Sequence, residues 1–218
     1  MHQNNSPLLN NMYDTINKLV AKEKGILAMD ESNATIGKRF TTINLENTKQ
    51  NRQKYRSLLA TTRDLHNYIS GVILFEETLY QTVVSSNQLP ENNITIPQYF
   101  NNQNILVGIK WIRGWHLFIT VPAAVPSINF LSGGQTEPEA TANLNAINKL
   151  GIAPWQLSFS FGRALQEGCI KALGGKDSNI PAAQNALLER AKLNSLANLG
   201  LAKLLGFFKD LPNIMSYA

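Results

Sequence analysis

Asp30 and Glu31 stand together at the end of an apolar run. Paired carboxylates can share acid/base work or orient a lysine. A solvated strand end would look the same, and the two residues alone favour that plainer reading. Ser132-Gly133-Gly134 comes after another apolar run and precedes a helical pattern. Glycines there let backbone N–H groups approach a phosphate closely, and the helix dipole adds attraction. Gly162-Arg163 repeats the arrangement with a guanidinium suited to bidentate phosphate binding. Two ordinary glycine turns would read alike. Lys110 ends a third run. It could bind an anion or form an imine, or be a surface lysine.

These residues need elements to place them. Met12, Ile16, Leu19 and Val20 recur at helical spacing until Lys24-Gly25 breaks the pattern. The buried strands expected are 25–29, 72–75, 105–109, 128–131 and 155–159. Helices are expected over about 48–60, with Tyr55, Leu58 and Leu59 inward, and from the capping box at Thr136-Glu137-Pro138-Glu139 to about Lys149. A third opens at Pro181 and runs to about Leu199. Apolar runs without alternation fit parallel strands covered on both faces. Their alternation with helices fits βαβ units. Each run ends in polar or charged residues, where barrel enzymes keep their chemistry. Met12 and Trp155 read as core, and Cys169 as a buried helical residue.

Composition narrows the classes. The 218 residues are 44% hydrophobic and 16% charged, which suits one globular domain. The net charge of +5 could serve nucleic acid or an anionic small substrate. The cations are scattered without a stripe or interleaved aromatics, which argues against nucleic acid. Cys169 is the only cysteine, and His2, His66 and His116 are far apart, so no disulfide and no metal site is expected. No signal peptide or apolar stretch of membrane-spanning length is seen. A soluble protein of a reducing compartment is expected, cytoplasmic or plastidic.

Five motifs carry a family resemblance. Gly25-Ile26-Leu27-Ala28-Met29-Asp30-Glu31-Ser32 resembles the first strand of class I (Schiff-base) fructose-bisphosphate aldolases. So do the segments GVILFEETLYQ from Gly71, FLSGGQ from Phe130, NLNAIN from Asn143 and SFSFGRALQ from Ser158, in the family's order. The resemblance covers about 12–110 and 120–195. It implies a (β/α)8 barrel, usually homotetrameric. It also implies reversible cleavage of fructose 1,6-bisphosphate to dihydroxyacetone phosphate and glyceraldehyde 3-phosphate. No metal or cofactor is implied, because a lysine imine is the electron sink. By motif match Asp30 is the first-strand aspartate and Lys110 the third-strand lysine. Arg39 binds a substrate phosphate with Ser32 and Thr35 nearby. Ser132, Gly133, Gly134, Ser160 and Arg163 hold the other phosphate, and Arg52 matches a family arginine near substrate.

The departures shape the expected function. After Lys110 the family continues Val-Asp-Lys-Gly, whereas this chain has Trp111-Ile112-Arg113-Gly114 and soon reaches Thr120-Val121-Pro122. That sequence resembles the lead-in to the family's seventh strand. The expected architecture is therefore a partial TIM barrel with strands 1–3 and 7–8 and without 4–6. It divides into 1–110, a joint at 111–119, and 120–218 with a divergent tail. The missing stretch would carry a substrate lysine, the acid/base glutamate and the imine-forming lysine. An inactive aldolase is expected; a sugar-phosphate-binding or interaction remnant, or a misjoined gene, are the alternatives.

Overall fold

The computed structural model describes residues 7–84, 94–109, 127–151 and 156–202. Apolar runs become five parallel strands: β1 (Gly25–Met29), β2 (Ile69–Leu74), β3 (Leu106–Ile109), β4 (Ser127–Phe130) and β5 (Gln156–Phe161). They form one sheet in the order β3-β2-β1-β5-β4. β1 is central, pairing Ala28 with Ile73 on one side and Leu27 with Phe161 on the other. Every neighbouring pair is parallel, so all five C-terminal ends share one side of the sheet.

The helices are α1 (Pro7–Leu19), α2 (Asn33–Thr41), α3 (Lys49–Ala60), α4 (Glu76–Leu79), α5 (Ile96–Asn102), α6 (Glu137–Leu150), α7 (Arg163–Leu173) and α8 (Ile180–Asn198). α5 packs on α3, α3 on α8, and α8 on α6 and α7, so the helices form a continuous layer. The shared core includes Leu27, Met29, Phe40, Tyr55, Leu74, Phe159 and Phe161. Phe40 meets Tyr55 edge-on with centroids 5.6 Å apart, a favoured aromatic geometry. Gly25 is required by the sheet: a Cβ there would lie 2.4 Å from the Phe159 ring.

α1 closes the end of the sheet opposite the site. The Ser70 hydroxyl donates to the carbonyl of Leu19 at 2.7 Å, and Leu19 fills the space where a side chain on Gly71 would go. This corrects two expectations. The second strand starts at Ile69, not Val72, and stops at Leu74. Ser70 can lie buried inside it because its hydroxyl is bonded. Met12 is 53% exposed rather than core. α1 turns Ile16 and Leu19, not Met12, toward the sheet, and both are half-buried.

The fifth strand is also displaced, to Gln156–Phe161, which places Ser160 inside it. The sequence patterns predict no helix at α2, α4 or α5. α3, α6 and α8 match their expected spans to within a residue or two, and Tyr55, Leu58 and Leu59 are buried as expected. Cys169 is buried on α7. The α/β class with a parallel sheet agrees with the sequence reading. Trp155 and the expected joint and tail lie outside the described residues.

Candidate functional site

The ends of β1 and β5 lie side by side, and each runs through a short polar turn into a helix. After β1 come Asp30 and Glu31, then Ser32. The Ser32 hydroxyl accepts from the Thr35 N–H at 3.3 Å and caps α2. Ser32 and Thr35 also bond hydroxyl to hydroxyl at 3.1 Å. α2 buries Ile36 and Phe40, and that face sets where Arg39 emerges.

Arg39 reaches back to Glu31, with Nη1 donating to Oε1 at 2.6 Å. Arg56 of α3 donates from Nη1 to Oε2 at 2.5 Å and from Nη2 to the Glu31 carbonyl at 3.3 Å. Gln166 of α7 donates to Glu31 Oε1 at 3.0 Å and to the Ala28 carbonyl at 2.7 Å. Tyr55 donates its hydroxyl to Gln166 Oε1 at 2.9 Å and so fixes which way the amide points. Burial would raise the Glu31 carboxyl, but Arg56 and then Arg39 outweigh it and hold the group below the usual glutamate range. Burial likewise pushes the Tyr55 hydroxyl well up, so it stays a donor.

After β5 the chain turns at Gly162 into α7. A Cβ on Gly162 would lie 3.2 Å from the Ala28 carbonyl and 4.0 Å from Glu31 Oε1. The Gly162 turn therefore passes close beside the end of β1. Arg163 donates through Nη2 to the Gly134 carbonyl and, at 3.1 Å, to that of Gln135. Gly133 and Gly134 have positive φ, +24° and +89°, which turns the loop after β4 toward α6. Thr136 and Glu139 then close the expected capping box.

The structure thus pairs Arg39 with Glu31 and Arg163 with the Gly134 loop, on turns that follow the neighbouring strands β1 and β5. Ser160 is 8% exposed on β5, opposite Ile26. Asp30 is half-buried beside the cluster. Arg52 stands apart: Nε and Nη2 grip both Glu77 oxygens at 2.7 and 2.8 Å, and Nη1 donates to Asn47 at 3.0 Å. Lys110 lies outside the described residues. Sequence reasoning missed Arg56, Gln166 and Tyr55. Their partners are 25 to 138 residues away in the chain, and no local spacing reports such a pair.

The profile of class-I fructose-bisphosphate aldolase matches residues 11–118 and 115–205. The chain belongs to this aldolase family.

Among relatives, the chloroplastic aldolase of Oryza sativa is 31% identical, covering 85% of this chain and 82% of that one. The cytosolic aldolase 4 of Arabidopsis thaliana is 33% identical, covering 81% and 80%. A solved structure of the Plasmodium falciparum aldolase, in complex with TRAP and a small-molecule inhibitor, superposes with a TM-score of 0.79 at 28% identity. It covers 89% of this chain and 95% of that one. This aldolase chain is shorter than its relatives. The rice alignment runs over 327 positions against 218 residues, so at least 109 positions of that relative have no counterpart here. Cytosolic and chloroplastic aldolases are both among the relatives. No helix among the described residues is long and apolar enough to cross a membrane.

Proposed function

We propose that this chain retains the phosphate grip of a class I aldolase and lacks its covalent chemistry. Arg39, tied to Glu31 after β1, and Arg163, which opens α7 after the neighbouring β5, carry the reading. Two guanidiniums, a glycine turn and the loop after β4 converge on one rim. An ester dianion is the ligand such a place suits. Ser132, Gly133, Gly134, Ser160 and Arg163 would hold one phosphate, and Arg39 with Ser32 and Thr35 another. Asp30, half-buried at the end of β1, would be the acid that faces the sugar carbons. Arg52, the family-matched arginine, is held in place by Glu77 and Asn47 and would stand at the margin of this site.

The covalent step needs a lysine among the strands. None of the five described strands, GILAM, ISGVIL, LVGI, SINF and QLSFSF, contains one. The family profile matches in two pieces that meet at 115–118, inside the joint read from the sequence. The extra length of the rice relative, at least 109 positions, would suffice for three βα units of about 30 residues each. The sheet order β3-β2-β1-β5-β4 is what a barrel leaves when its fourth to sixth staves are removed and its first and last remain paired. We read the chain as one incomplete barrel domain on these grounds.

Calorimetry of the full chain with dihydroxyacetone phosphate tests the grip. Binding in the millimolar range or tighter is expected; absence of heat at millimolar ligand ends the phosphate reading. Borohydride reduction in the presence of the same ligand tests the chemistry. No stable adduct is expected, and a lysine adduct found by mass spectrometry, at Lys110 above all, would restore the aldolase reading.

A further inference from the structure

Glu31 answers two cations, and that imbalance has a direction. Among ion pairs between described residues, every other carboxylate takes one cation: Glu77 takes Arg52, Asp177 Lys54, Glu167 Lys171 and Glu137 Arg190. Glu31 takes both Arg39 and Arg56. Within this trio the guanidiniums outnumber the carboxylate by one, with Asp30 next in the chain and Glu167 within the field of Arg39.

The two arginines are not equivalent. The Arg56 side chain is 3% exposed and clasps Glu31 twice, on the carboxylate and on the main-chain carbonyl. The Arg39 side chain is 20% exposed and touches Glu31 through Nη1 alone. Among the described residues, no acceptor bonds its Nε or Nη2. Gln166, held by Tyr55, shares Glu31 Oε1 with Arg39 and fixes that oxygen in space. Arg39 and Arg163 both act on Glu167 electrostatically, so the two guanidiniums share one field.

We propose that Arg56 is a positioning residue of the anion site: it answers the Glu31 charge from the buried side, so that Glu31 aims Arg39 without neutralising it. The proposal rests on the phosphate reading of the rim. Without Arg56, the carboxylate has Arg39 as its sole counter-charge. Arg39 is then bound into a buried pair, and an incoming oxyanion must compete with Glu31 for it. Removing the Glu31 charge as well should return Arg39 to the anion. A residue that merely supports the fold would show no such rescue.

The experiment is sulfate binding, followed by amide chemical shifts or calorimetry, on the wild-type chain and on R56M, R56K and the double variant E31Q/R56M. Sulfate keeps its charge across the working range. Only proteins whose melting lies well above the assay temperature are compared. The expected loss for R56M is about tenfold, the scale of one charge-assisted hydrogen bond. R56K should recover part of it, and E31Q/R56M should bind within about threefold of wild type. Two folded-protein results overturn the proposal: R56M binding as well as wild type, or the double variant binding as poorly as R56M. If R56M does not fold, the charge-neutral double variant decides alone, and tenfold weaker sulfate binding by it ends the idea. A wild-type chain that binds neither sulfate nor dihydroxyacetone phosphate fails the phosphate reading itself, and is told apart by needing no variant.

Discussion

At the residue scale, two buried glutamates end up shifted in opposite directions, because their neighbours differ. Glu31 lies within reach of two guanidiniums and a buried amide, and its carboxyl is held low despite burial. A depressed carboxyl gives stability above its unfolded value and loses it as pH falls through the folded one. Urea melts taken stepwise below the ordinary glutamate range should show a falling midpoint. In E31Q that acid slope should shrink, and at neutral pH the variant should be about 3 kcal/mol less stable, because Arg56 is left buried without an anion. A variant as stable as wild type at neutral pH would show the ion pair to be idle. Glu137 goes the other way. Burial raises it, and the Gly168 N–H at 3.0 Å and Arg190 only partly oppose that. Its ionised form is the costly one, so stability from this group grows as pH drops through the raised value. E137Q should match or exceed wild type by up to about 1 kcal/mol at slightly alkaline pH. The advantage should fade in acid, which paired melts at two pH values would register.

At the scale of elements, Gly25 sets how β1 passes β5. An alanine there puts a methyl 2.4 Å from the Phe159 ring of β5, and that ring is fully buried. Overpacking of this kind costs about 1–3 kcal/mol, so G25A should lower the melting temperature by several degrees or abolish soluble expression. An unchanged melting curve would mean that Phe159 can swing aside. The same element shows what a reader of sequence can see. GILAM is a short apolar run between a glycine and two acids, and its period and length leave few alternatives. Ile69-Ser70-Gly71 hid the start of β2, because a serine and a glycine look like a loop until the Leu19 carbonyl is there to accept the hydroxyl. α2 was missed for a related reason: its nine residues bury only Ile36 and Phe40, too few for a visible stripe. Gly133-Gly134 and Gly162-Arg163 each stand out in sequence as a short pattern after an apolar run, although the contact between the two turns spans 29 residues. Arg56 does not, because its partner is 25 residues away and ordinary helix surface also carries arginines.

At the scale of the molecule, the sheet order decides what the missing length costs. In a closed barrel every strand has two neighbours, and closure removes the edges. Among the described residues β3 pairs only with β2, and β4 only with β5. Among the described residues those two edges have no further strand on their backbone donors and acceptors, and parallel strands are normally covered on all sides. β3 carries no charge to deter another strand, since its residues are Leu-Val-Gly-Ile and Ile109 is 44% exposed. Self-association that rises with protein concentration is therefore expected in sedimentation velocity. A lysine on such an edge blunts strand pairing without touching the core. I109K should shift the distribution toward monomer and raise the soluble yield, while leaving the dihydroxyacetone phosphate affinity of the rim at β1 and β5 unchanged. If I109K associates as strongly as wild type, the β3 edge is not the surface that meets its neighbour. If the wild-type chain sediments as a monomer at high concentration, both edges are already satisfied within the chain.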